Sequence, residues 1–155
     1  MAADVGAKAP DFTLHNQNRE SVTLSEVLKK GPVVLAFLPG AFSGTCTAEL
    51  CNFRDSEADL NKLSAQVLGV SVDTFFALKA WADANKFTFP LLSDFNKEVT
   101  PTYGVLNPDM IGLKNIAKRA VFVIDRNGVV RHKEVVEDAR NEPDYGKVRA
   151  ALASL

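Results

Sequence analysis

Two cysteines, two histidines and one tryptophan are all that 155 residues contain of those types, and charge of neither sign dominates. Against 19 acidic residues stand 18 Lys and Arg, a net charge of −1, with no basic run long enough to form a nucleic-acid patch. Nucleic acid is therefore not an expected partner. No apolar stretch reaches membrane-spanning length, and the start, Met-Ala-Ala-Asp-Val-Gly, lacks the basic head and apolar core of a signal peptide, so no membrane partner and a cytoplasmic location are expected. His15 and His132 stand alone, without acidic or cysteine neighbours at metal-ligand spacing, and read as surface or turn residues; no metal site is expected. Cys46 and Cys51 are separated by four residues, too close for a structural staple in a compartment that keeps thiols reduced. A catalytic or redox-sensing pair is the better reading.

What the chain does have is enough apolar residue, 46%, for one real core and too little length for two ordinary domains, so residues 1–155 read as a single domain. The run Val33 to Leu38, between Gly31-Pro32 and Pro39-Gly40, suits a strand buried on both faces. Gln66 to Val72 is a second such run and Ala120 to Ile124 a third. After the third, Asp125-Arg126-Asn127-Gly128 and Val129 to His132 make a hairpin signal, since Asn-Gly readily takes positive φ. Helical stretches run from Thr45 to Leu63, from Phe75 to Lys86, and from about Pro143 to Leu152. The alternation predicts an α/β fold, a central mixed sheet with helices on both faces and an antiparallel edge. The signals from Thr100 to Lys118 are mixed and that segment stays unassigned. Arg131 to Arg149 reads as a solvated face. Trp81, Phe75, Phe76 and Phe87, at helical spacing, are read first as core.

Cys46, Leu50, Phe53 and Leu60 fall at offsets of four, seven and fourteen and share the inward face of the first helix. Cys46 sits in its first turn, where free N–H groups and the positive end of the helix dipole favour an anion and so a thiolate. The loop before it, residues 39–45, leaves a strand end for a helix, the crevice where open α/β sheets bind ligands. Its two glycines are three residues apart with no Lys after them, so it is not a nucleotide-binding loop. Placement alone leaves a buried inert thiol as an alternative for Cys46.

Pro39, Ser43 and Cys46 resemble the Pro-x-x-x-Thr/Ser-x-x-Cys motif of peroxiredoxins, and the run from Cys46 to Asp55 is similar to their Q group, the bacterioferritin comigratory proteins. Ala9 to Leu14, Phe89 to Asp94, and Arg119 ahead of the strand ending near Asp125 agree in order and spacing, so the resemblance covers nearly the whole chain. It implies a thioredoxin-like fold and a thiol peroxidase for hydrogen peroxide and small organic hydroperoxides that needs no metal, flavin or haem. It implies Cys46 as the attacking cysteine, Ser43 as the hydroxyl that holds peroxide and thiolate, Pro39 as the shield against water, and Arg119 as the partner of the thiolate. A preorganised set of such donors is what a thiolate attacking an O–O bond needs. Glu49, three residues beyond Cys46, is placed to orient Arg119; otherwise it is an ordinary solvated first-turn carboxylate. Ser43 stands where most relatives carry Thr.

Attack would leave a sulfenic acid on Cys46, which condenses with a thiol, and Cys51 is the only other one. The Q group often uses a cysteine five residues on as the resolving thiol; an external thiol is the alternative. A thioredoxin or similar dithiol donor is the implied partner, and the chain is expected as a monomer or homodimer. A disulfide oxidoreductase fits less well, since that chemistry normally uses Cys-x-x-Cys. A redox-sensing module on the same fold is the non-enzymatic reading.

Overall fold

The computed structural model describes residues 3–155. In chain order the elements are β1 (Thr13–His15), β2 (Ser21–Thr23), α1 (Leu24–Leu28), β3 (Val33–Phe37), α2 (Gly44–Asp55), α3 (Glu57–Lys62), β4 (Gln66–Ser71), α4 (Phe75–Asn85), β5 (Leu91–Ser93), α5 (Val99–Thr102), β6 (Leu106–Met110), β7 (Leu113–Ala117), β8 (Arg119–Ile124), β9 (Val130–Val136) and α6 (Tyr145–Ala153). Seven strands form one sheet in the order β2-β1-β5-β4-β3-β8-β9, while β6 and β7 pair only with each other. The β3, β4 and β5 centre is parallel and the flanks are antiparallel. This is the mixed sheet the sequence predicts.

Continuous apolar runs make the central strands because both of their faces are covered: every residue of β3 and of β8 is buried. Alternate residues divide between two cores. Val33, Leu35 and Phe37 pack with Leu24 and Leu28 of α1 and Val99 of α5. Val34, Ala36, Val121 and Val123 pack with α2, α3, α4 and α6 through Leu50, Leu60, Trp81 and Val148.

Four expectations need correction. The single helix expected from Thr45 to Leu63 is two, because the chain leaves helical geometry at Ser56 (φ −94°, ψ 3°) before α3 restarts; Leu60 is buried all the same. His132 is neither a surface nor a turn residue. It lies within β9, half-buried, with an enclosed Nε2 that has no hydrogen-bond partner. The stretch read as a solvated face contains β9 and most of α6, with Val148 in the core. His15 is exposed in β1, against the edge of Phe75. Of the four aromatics read as core, Trp81 and Phe87 are buried and Phe75 is half-buried, whereas Phe76 is exposed. The β8–β9 hairpin forms as expected, but only Gly128 takes positive φ (82°), with Asp125 Oδ1 accepting from the N–H groups of Asn127 and Val129.

The antiparallel register carries the functional consequence. Phe37 pairs with Ala120, so Arg119 stands at the end of β8 where the chain leaves β3. By the two-residue period it shares the face of Val121 and Val123, the face on which α2 lies.

Candidate active site

The first turn of α2 is built by side chains rather than by helix propensity. Ser43, in extended conformation, caps the helix, its Oγ accepting from the Cys46 N–H at 3.3 Å. Phe42 before it is held at φ 66°, an unusual conformation for an aromatic residue. The loop is tied from below by Asp73, whose Oδ2 accepts from the Ala41 N–H at 2.7 Å and from Ser71 Oγ at 2.7 Å. Trp81 Nε1 donates to Thr47 Oγ1 at 3.1 Å, fixing the turn from the α4 side. Cys46 is left fully buried at a helix start.

Arg119 enters this turn from β8, also almost fully buried. Its Nη1 lies 3.4 Å from Cys46 Sγ and donates to Glu49 Oε1 at 2.9 Å, while Nη2 donates to the Ala139 carbonyl at 2.8 Å. The planar fork is therefore held at three points, which a flexible ammonium does not reproduce. Burial works against the charge on Arg119, but Cys46 and Glu49 outweigh it and the guanidinium is held more firmly protonated than usual.

Glu49 is enclosed, with Oε2 unpartnered. It is not the solvated carboxylate that an early helix position suggests. Burial pushes its carboxyl up from the ordinary 4.5 to about 7, against the opposing pull of Arg119. Since the folded-state value is the raised one, the stability tied to protonated Glu49 is complete below about pH 4.5 and is lost as pH rises through about 7. Urea unfolding of wild type beside Glu49→Gln should show wild type losing about 3 kcal/mol relative to the variant between those limits. Parallel stability curves would refute the assignment.

Of the residues singled out from sequence, Cys46, Glu49 and Arg119 meet directly and Ser43 touches them through the Cys46 N–H. Pro39 is buried and, with Arg119, lines a cavity of about 530 Å³. Cys51 lies on the same helix, half-buried, and both thiols are free. Asp73, Thr47, Trp81 as a hydrogen-bond donor, and the Ala139 carbonyl were not foreseen. For Asp73 a signal existed, since Ser-x-Asp at a strand end is able to make a local side-chain turn. A backbone carbonyl leaves none. Among the described residues, no cluster of three or more His, Cys, Asp or Glu is placed to hold a metal ion.

A family model described as the AhpC/TSA family matches residues 5–133. The chain is 39% identical over 155 residues to alkyl hydroperoxide reductase E of Mycobacterium tuberculosis, covering 97% of this chain and 99% of that one. It is 38% identical to a chloroplastic 2-cysteine peroxiredoxin of Chattonella marina var. antiqua, covering all of this chain and 80% of that one. Among solved structures, peroxidoxin BcpB from Mycobacterium tuberculosis superposes with a TM-score of 0.89 at 32% identity, over 99% of this chain and 98% of that one.

Proposed function

The chain belongs to the AhpC/TSA family, the peroxiredoxins, and is a thiol-dependent peroxidase; from that premise we propose that Cys46 is its peroxide-attacking thiolate, with Arg119 as its electrostatic partner. The observation that carries this reading is the approach of Arg119 Nη1 to within 3.4 Å of Cys46 Sγ at a capped helix N-terminus. Cation and helix dipole both favour the anion there.

The thiolate attacks the terminal oxygen of a hydroperoxide ROOH. An S–O bond forms, the O–O bond breaks, and the leaving RO⁻ takes a proton to depart as ROH, leaving Cys46 as sulfenic acid. The guanidinium and the Ser43 hydroxyl, whose proton is free because its oxygen accepts from Cys46 N–H, are the donors available to the oxygen that acquires charge. Glu49 positions Arg119, and Pro39 keeps water from the side of the cavity. The substrates are hydrogen peroxide and small organic hydroperoxides.

Cys51 is the proposed resolving thiol: its sulfur displaces the sulfenic oxygen as water and forms a disulfide, which a thioredoxin-like dithiol then reduces. Five residues of regular helix separate the two Cα atoms by roughly 8 to 9 Å, beyond the ~7 Å that a disulfide spans. Resolution therefore requires α2 to unwind from its capped end. The test is to treat the reduced protein with one equivalent of hydrogen peroxide and weigh it intact. Loss of two hydrogens is expected. A stable added oxygen would leave the attack standing and remove Cys51 from the cycle, and an unchanged mass would contradict the whole reading.

A further inference from the structure

The open cavity that Arg119 and Pro39 line is also lined by Asn107, Met110 and Ile111 of the β6–β7 hairpin, which takes no part in the main sheet. Met110 pairs with Leu113, leaving the two-residue turn Ile111-Gly112 with both residues at positive φ, 54° and 87°. Such turns favour Asn-Gly or Asp-Gly. A β-branched residue at the first position is strained, and Ile111 also projects an apolar side chain that is 97% exposed. The polar side of the hairpin is satisfied without it: Gly112 N–H donates to Asp109 Oδ1 at 2.8 Å, and Lys114 pairs with Asp109. Folding alone thus gives no reason for isoleucine here.

The surroundings do give one. Met110 and Ile111 line the cavity together with Val136 and Ala139, and so does Arg119, whose Nη1 lies 3.4 Å from Cys46 Sγ. A hydroperoxide whose reacting oxygens lie against Arg119 has its substituent R pointing into this space. Resting on the peroxidase reading, we propose that Met110 and Ile111 form an apolar shelf for the organic group of the substrate and are the residues that set preference for bulky organic hydroperoxides over hydrogen peroxide, which has no group to place there. Strain retained at a ligand-facing turn is a recurrent feature of binding sites.

The test measures the second-order rate of oxidation of the reduced protein by cumene hydroperoxide and by hydrogen peroxide, following the fluorescence of Trp81, the only tryptophan. In Met110→Gln/Ile111→Asn the ratio of the two rates should fall about tenfold, the size of one or two lost apolar contacts in a substrate pocket. Ile111→Asn alone, which places a residue suited to positive φ at a solvent-exposed tip, should lower the ratio by a smaller factor while keeping the fold. Leu113→Ser, which removes an exposed apolar side chain from the same hairpin outside the cavity, should leave the ratio as in wild type. Ratios within twofold of wild type in the double variant would overturn the shelf while leaving the peroxidase reading intact. The same unchanged ratio with a later elution on size exclusion would assign Ile111 to contact with a second copy instead. Wild type oxidised by neither peroxide would remove both.

Discussion

Cys46→Ser is expected to lower peroxide consumption by at least about 10⁴-fold with a dithiol donor present, since removing the nucleophile of a covalent mechanism removes nearly all of its rate advantage. Serine keeps the small polar side chain in the capped first turn, so Ser43 still accepts from the backbone N–H of residue 46 and α2 should form normally. Far-ultraviolet circular dichroism should therefore match wild type while activity is lost. Retention of more than a few per cent of the activity would mean that another group attacks the peroxide. The consequence is separable from that of Cys51→Ser, which should oxidise once at an unimpaired rate and then stall without an external thiol.

Arg119→Ala should cost about 10² to 10³ in the second-order rate of oxidation, the usual loss when a preorganised charged donor is taken from a developing oxyanion. The loss has a structural counterpart. Glu49, deprived of the cation that donates to its Oε1, stays enclosed, and with the opposing pull of Arg119 gone its ionisation shifts further upward. Arg119→Lys retains the charge, but one ammonium does not meet Cys46 Sγ, Glu49 Oε1 and the Ala139 carbonyl in the fork geometry. It should recover only part of the rate, leaving a deficit of about tenfold. Stopped-flow oxidation of the reduced variants checks both values, and rates within threefold of wild type for Arg119→Ala would remove the guanidinium from the chemistry.

The parts of this fold that were legible in sequence are those whose pattern is local. The predominantly apolar runs of β3, β4 and β8 declare strands covered on both faces, and the offsets of Cys46, Leu50 and Phe53 declare one buried helix stripe. The break at Ser56 escaped because Leu60 continues the same stripe after the interruption, so periodicity alone does not register the change of axis. The β6–β7 hairpin escaped for the opposite reason. Its turn uses Ile-Gly where Asn-Gly would signal itself, its strands show no clean alternation of exposed and buried residues, and Pro108 sits inside one of them, as edge strands permit.

The candidate site divides in the same way. Ser43, Cys46 and Glu49 lie within seven residues; Cys46 and Glu49 are found by spacing on one helix, and Ser43 by the family motif that ends at Cys46. Arg119 is 73 residues from Cys46, and only the family resemblance pointed to it; the physical reason it arrives is the antiparallel pairing of β3 with β8. The Ala139 carbonyl that fixes its other nitrogen is a backbone atom in a loop and carries no side-chain signature. Asp73 holds the Cys46 loop across 32 residues, a contact that exists only once β4 lies beside β3.

The central claim is that Cys46 itself takes the oxygen from the peroxide. It is tested most directly in the Cys51→Ser protein, reduced and treated with one equivalent of hydrogen peroxide in the presence of dimedone, which captures sulfenic acids, followed by peptide mass analysis. A dimedone adduct on the peptide containing Cys46 is the predicted result. Peroxide consumed with no adduct at Cys46 would contradict the account.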